Sequence, residues 1–271
     1  ERLSALRNLK ELHLPGPFWN RNADGGRDGS KDLRFLADVT TLEVLTFSDH
    51  FLDRIRFKDE GLAEIKGLVN LRELILHQSD VKGQTLAPFR KLEALDVTLC
   101  PVDDKGLESL QGMTGLRRLR LGDTLITDAS MRIVGQFADL EELDLHGTAI
   151  TDAGIQQLKG LSQLKKLNLM GCTVTDASAD LLGRFHGLEE LNLYRTRISN
   201  GGASRLRALK HLADLDVRYS RVTRGGIDAL RAACPAARIL YVEQSARPRI
   251  AGDLFRPSPE ETLTLAGAAI T

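Results

Sequence analysis

The chain has 271 residues, with 37 basic and 37 acidic side chains and therefore a formal net charge of zero. That balance argues against bulk nucleic-acid binding, which needs a basic stripe to displace counterions from phosphate. No apolar run approaches the length of about eighteen residues that reads as a membrane span. Cys100, Cys172 and Cys234 are too few and too widely spaced for a disulfide framework or a zinc site, which favours a reducing compartment. Aromatic residues make up only 5%, so the core must be built from leucine.

In chain order, Leu3, Leu6 and Leu9 have the spacing of a helical tail running into a strand. Residues 16–31 are rich in Gly, Asp, Asn and Arg, hold the single Trp, Trp19, and are expected to form a surface loop. A shorter irregular stretch follows at 51–58, with Phe51, Arg54, Arg56 and Phe57. Between and after these irregularities one phrase recurs, Leu-x-x-Leu-x-Leu, starting at Leu9, Leu42, Leu71, Leu92, Leu116, Leu140, Leu164, Leu188 and Leu212, and in degenerate form at Ala236. The first spacings are 33, 29 and 21 residues, and from Leu92 onward every spacing is 24. A fixed period of this length is the mark of a stacked repeat architecture.

Each unit can be read physically. The alternation in Leu143-Asp144-Leu145-His146 is strand periodicity, apolar to one side and polar to the other. A small residue follows at a fixed step (Ser79, Cys100, Thr124, Thr148, Cys172, Thr196, Ser220), where a side chain can turn inward and bond the backbone leaving the strand. Next come Ile126-Thr127-Asp128, Ile150-Thr151-Asp152 and Val174-Thr175-Asp176, with Thr as a helix N-cap and Asp in the first turn, where the helix dipole favours negative charge. Ile155, Leu158, Leu161 and Leu164 then carry an apolar stripe at helical spacing back to the core.

The repeated phrase and its Thr-Asp continuation resemble the leucine-rich-repeat family over essentially the whole chain, and most closely its 24-residue cysteine-containing, F-box-associated-like and bacterial subclass. The resemblance implies an α/β leucine-rich-repeat solenoid. In such a right-handed horseshoe, parallel strands line the concave face and short helices the convex one. It divides the chain into a solenoid at 1–243 with the loop insertion at 16–31, a Pro-containing irregular segment at 244–259, and the start of a further repeat or edge strand at 260–271. The last of these mirrors the Leu143 to Thr151 pattern in phase, so the sequence is expected to be part of a longer protein.

On the strand face three rows of side chains form ladders across the repeats. One runs Glu73, Arg118, Glu142, Lys166, Glu190, Asp214; a second Asp96, Arg120, Asp144, Asn168, Asn192, Asp216; a third His77, Thr98, Gly122, His146, Met170, Tyr194, Arg218. Gln78, Arg195 and Tyr219 are taken to continue outward from the third row. The Asp/Asn row has a bland reading as a solvated face. His146, Met170, Asn192, Tyr194, Arg195, Asp216, Arg218 and Tyr219 instead form the candidate partner site, because exposed aromatic, Met and Arg side chains on one face are what interface centres are enriched in. Trp19, Phe51, Phe57 and His77 make a second candidate, which could equally seal the end of the core.

No cofactor or metal is expected. His13, Asp49 and His50, and the series Asp24, Asp28 and Asp32, lack the terminal Glu and tight spacing of a calcium loop. Cys100 and Cys172 share their slot with Thr124 and Thr148 and read as structural. The sequence therefore reads as a non-enzymatic, cytoplasmic recognition module whose partner is another protein. The alternatives are the recognition part of a ubiquitin-ligase adaptor or secreted bacterial effector, or a bare structural spacer.

Overall fold

The computed structural model describes residues 8–15, 33–48 and 58–242. Ten strands form one sheet in strict sequence order: β1 (Glu11–Pro15), β2 (Val44–Ser48), β3 (Glu73–Ile75), β4 (Ala94–Asp96), β5 (Arg118–Arg120), β6 (Glu142–Asp144), β7 (Lys166–Asn168), β8 (Glu190–Asn192), β9 (Asp214–Asp216) and β10 (Arg238–Leu240). Every neighbouring pair is parallel, in a register that sets equivalent repeat positions side by side, as in Leu143 beside Leu119 and Leu167. The expected irregular loops around Trp19, Phe51 and Phe57, and the segments after residue 243, lie outside the described residues.

The return segments carry short helices: α1 (Asp59–Glu64), α2 (Asp104–Leu107), α3 (Met131–Val134), α4 (Asp152–Gln157), α5 (Ala179–Leu182), α6 (Asn200–Leu206) and α7 (Arg224–Ala233). The spacing Ile155, Leu158, Leu161, Leu164 predicts a longer helix than forms. Only Asp152–Gln157 is α-helical, Leu158–Gly160 is a tighter 3₁₀ turn, and the chain is already turning back toward β7 at Leu161. A three-residue spacing suits a 3₁₀ turn as well as an α-helix, so periodicity alone could not separate them.

Leucine fills the space between sheet and helices. Leu116, Leu119, Leu121, Leu140, Leu145 and Leu164 have no exposed surface, and the same positions are buried along the whole stack. Burying one such side chain contributes roughly 1.5–3 kcal/mol relative to leaving it in water. A single repeat has one leucine row and nothing to cover it, which is why the units are stable only as a stack.

Polar contacts stitch one repeat to the next. The side chain of Thr151 accepts from the Ala153 N–H (3.2 Å) and caps α4 as expected, and Ser199 caps α6 in the same way; Thr127 caps a 3₁₀ turn, and Thr175 bonds the Ala177 N–H in a turn ahead of α5 without capping that helix. The Asp that follows acts between repeats. The Thr175 N–H donates to Asp152 Oδ1 (2.9 Å), the Thr175 hydroxyl to Oδ2 (2.6 Å) and the Ser178 hydroxyl to Oδ1 (2.5 Å). Asp104, Asp128 and Asp176 are held in the same way by the following repeat; Asn200 likewise accepts from the Thr223 N–H, but its Nδ2 donates to the Thr223 hydroxyl. Burial of the Asp152 carboxyl pushes its pKa up, but the bonds from Ser178 and Thr175 outweigh it and leave the group below the ordinary carboxylate range. The dipole reading of this position was incomplete: these helices are very short, and the carboxylate's partners lie in the next repeat.

The small-residue slot divides by chemistry. Thr148 donates to the Leu145 carbonyl of its own repeat (2.6 Å), whereas Cys172 Sγ reaches the same carbonyl from the next one (3.1 Å). Burial raises the Cys100 and Cys172 thiols to about 11, so neither supplies a thiolate near neutral pH.

Candidate functional site

The strand face is open and polar. Its floor, from Asp96 and Arg120 across Asp144, Asn168 and Asn192 to Asp216, encloses a groove of about 460 Å³ that His77, His146 and Lys166 also line. Among the described residues no cluster of three or more His, Cys, Asp or Glu could hold a metal ion, and no helix is long and apolar enough to cross a membrane.

The Asp/Asn row has a structural task. Asp96, Asp144, Asn168, Asn192 and Asp216 each accept, through Oδ1, the backbone N–H two residues on, at 2.9–3.1 Å. These Asx turns end each strand and swing the chain out of the sheet. Asn192 and Asp216 of the candidate site therefore set the backbone on which Tyr194 and Arg218 are mounted.

The residues after the turn do not continue the strand face. Gln78, Leu99, Asp123, Arg195 and Tyr219 all have φ of 50° to 61°, and Gly147 and Gly171 occupy the same place at 66° and 76°. This left-handed position lies along the rim of the sheet, so Gln78, Arg195 and Tyr219 are rim residues and not an outer row of the sheet. An isolated sequence pattern could not separate the two, because alternation looks the same up to the residue where the sign of φ changes. The third row is also uneven: Thr98 and Gly122 are buried, while His146, Met170, Tyr194 and Arg218 are half-buried.

His146 is held from two sides. Its Nδ1 lies 2.8 Å from Asp144 Oδ1 and its Nε2 3.2 Å from Asp123 Oδ2. The hydrogen bond to Asp144, reinforced by the charge of both carboxylates, raises the pKa of His146 against the opposing effect of its burial. Burial pushes Asp144 up, but the bonds from His146 outweigh this and the carboxyl ends below its ordinary value. Two glycines make room: a Cβ on Gly122 would overlap the imidazole, and one on Gly147 would overlap the Asp123 carboxylate. With both ring nitrogens facing carboxylates, the ring is not placed to take a proton from a nucleophile. Gly122 precedes His146 in the third row read from the sequence, but Asp123 was not among the expected site residues, and only the fold brings its carboxylate to His146.

Four of the expected residues do meet. Tyr194 and Tyr219 pack edge to face with centroids 5.1 Å apart. The guanidinium of Arg218 lies 5.3 Å from the Tyr194 ring centre and that of Arg195 5.6 Å from it. Arg218 is also paired with both oxygens of Asp216, through Nε (3.0 and 3.1 Å) and a terminal nitrogen (2.6 Å). Tyr219 remains 57% exposed, the second most exposed of the large apolar or aromatic residues described. Met170 stands one repeat away, between His146 and Tyr194. His77 lies at the far end of the groove, apart from this cluster.

Charge elsewhere on the sheet is internally matched. Lys10, Glu43, Arg72, Glu93, Arg117, Glu141, Lys165 and Glu189 occupy one position of successive repeats and alternate in sign without a break. Lys10 pairs with Glu43, Arg72 with Glu93, and Arg117 (3.3 Å) and Lys165 (2.6 Å) with Glu141. On the neighbouring row Arg118 reaches Glu73 (2.7 Å), Lys166 reaches Glu190 (2.5 Å) and Arg238 pairs with Asp214.

A family model described as a leucine-rich repeat matches residues 90–110, 138–159 and 161–183. No curated protein matches the chain in sequence. Among solved structures the chain is similar to internalin C2 of Listeria monocytogenes, with 22% identity and a TM-score of 0.59 over 79% of this chain and 84% of that one. A second internalin of the same organism aligns with 17% identity and a TM-score of 0.50, covering 88% of this chain and 82% of the other. At these identities the likeness concerns the fold. With the matched repeats, the unbroken parallel sheet and the buried leucine ladder together, the chain is a leucine-rich-repeat solenoid.

Proposed function

We propose that the protein is a recognition module that binds another polypeptide, and that the site is the C-terminal part of the strand face and its rim, from His146 to Tyr219. The observation that carries this reading is the Tyr194 cluster: two tyrosines packed edge to face, with two arginines against the Tyr194 ring, at an open edge where Tyr219 is exposed. Aromatic and Arg side chains held rigidly at a surface lose little freedom on binding and are enriched at interface centres. The rest of the sheet face supports the assignment by contrast, since most of its charges are paired and its Asp/Asn row is engaged with its own backbone.

Capture from the native organism, comparing wild type with a Tyr194→Ala/Arg218→Ala double variant, tests the reading. The cluster is expected to contribute positions that each cost ~2 kcal/mol or more of binding on truncation, with the melting temperature unchanged. A partner that the double variant retains at wild-type affinity would place the site elsewhere.

A further inference from the structure

The balanced net charge conceals a division along the solenoid. Residues 59–183 contain nineteen Asp or Glu and thirteen Lys or Arg, whereas residues 184–238 contain five Asp or Glu and eleven Lys or Arg. Much of the excess lies on the rim beside the Tyr194 cluster. Arg197 and Arg221 hold equivalent places in successive repeats, as their backbone bonds show: the Arg197 N–H donates to the Val174 carbonyl and the Arg221 N–H to that of Ile198, each at 2.8 Å. The same place in earlier repeats holds Pro101, Leu125, Ala149 and Thr173. Arg195 is equivalent to Leu99, Asp123, Gly147 and Gly171. The rim thus changes character at β8, from uncharged or acidic to arginine.

These arginines depart from the pairing that holds for most charges of the strand face. Arg195, Arg197 and Arg221 are exposed, and none has a carboxylate partner among the described residues. Like charges set side by side cost stability, and Arg197 with Arg221 in adjacent repeats is such a pair. Arg195 gains the face of the Tyr194 ring, but neither Arg197 nor Arg221 gains a side-chain partner among the described residues. Arg218 is already neutralised by Asp216, so the uncompensated charge belongs to the other three.

We infer that the rim formed by Arg195, Arg197 and Arg221, with Tyr194 and Tyr219 beside it, docks an acidic segment of the partner polypeptide; this rests on the reading that the partner binds at this end of the sheet. A guanidinium fork matches a carboxylate with two parallel bonds, and three such forks flanked by tyrosine rings suit an Asp/Glu-bearing stretch that also carries an apolar residue. A nucleic acid fits less well. The basic rim spans only two repeats, and Glu189, Glu190, Asp214 and Asp216 on the adjoining strand face would repel a polyphosphate that ran on across the sheet.

The test is fluorescence anisotropy with three labelled probes: an oligo-glutamate peptide, an oligo-lysine peptide of equal length and a single-stranded DNA oligonucleotide. Wild type is expected to bind oligo-glutamate, more weakly as salt is raised, and to prefer it to both other probes. An Arg197→Glu/Arg221→Glu double variant is expected to lose about tenfold or more of that affinity. Arg221→Glu alone restores alternating charge beside Arg197, so it should melt at or above the wild-type temperature while still losing binding. Tighter binding of DNA, equal binding of oligo-lysine, or unchanged oligo-glutamate affinity in the double variant would each overturn the inference. A native partner released by Tyr194→Ala but kept by the arginine double variant would overturn it too, while leaving the strand-face site standing.

Discussion

At the scale of single residues, the Thr-Asp pair does more than start a helix. Removing the Asp152 carboxylate orphans the Thr175 N–H and hydroxyl and the Ser178 hydroxyl in the next repeat, which costs roughly 1–3 kcal/mol. Asp152→Ala should show that loss in urea denaturation. Asp152→Asn should lose much less, because Asn200 already makes the equivalent contacts with Thr223. The same groups give stability a pH dependence of two signs. Asp104, Asp152 and Asp176 have lowered pKa values, so their contribution is present above the ordinary carboxylate value near ~3.9 and disappears as pH falls through the folded one. His146 has a raised pKa, so its contribution is complete below about 6.5 and is lost as pH rises through its folded value. Thermal melts of wild type and His146→Gln from acid to mildly alkaline pH check this. The variant should lack the decline on the alkaline side and keep the one in acid. A wild type and variant with parallel profiles would show that the Asp123–His146–Asp144 contact adds nothing to stability.

At the scale of elements, the helices are short because the space for them is short, and small residues sit where neighbouring repeats come closest. A Cβ on Gly106 would overlap the Lys82 carbonyl, and one on Gly154 the Asp128 carboxylate, whereas one on Gly115 would meet only the Leu92 carbonyl at an ordinary 3.8 Å. The backbone at Gly106 cannot move without shifting the whole repeat. Gly106→Ala is therefore expected to destabilise by ~1–3 kcal/mol, as overpacking of a tight site does, with Gly115→Ala near neutral. Paired urea titrations settle the comparison, and equal midpoints would refute it. The slot at Gly154 alternates with Ser130 and Ser178, whose hydroxyls bond the same Asp row. That alternation is visible in the sequence, but its meaning is not, because the carboxylate it accommodates comes from the repeat before.

At the scale of the whole molecule, stability is a sum of repeats and the contacts between nearest neighbours. Leu143 lies in the middle of the stack, 1% exposed, with leucines of β5 and β7 on either side. Leu143→Ala should cost about 2–5 kcal/mol. Because it weakens a central interface, it should also broaden the urea transition and lower its slope by letting the two halves unfold apart. A uniformly shifted, equally steep transition would mean that the solenoid unfolds as one unit. The binding prediction also belongs here, since Tyr194, Arg195, Arg218 and Tyr219 come together only when β8 and β9 stack.

The periodic leucines, the small residue after each strand and the Thr caps were enough to determine the repeat, its strand and its parallel stacking, because each is a local preference restated at a fixed interval. Tertiary structure alone decided which partners those residues find. It showed that the Asp/Asn row bonds its own backbone, that the next residues turn into left-handed rim positions, and that Asp123 closes on His146. It also separated the matched charges of the strand face from the unmatched arginines of the rim. The physical reason is the same in each case: these contacts cross from one repeat to the next, and a one-dimensional pattern specifies what recurs but not what the recurrence places side by side.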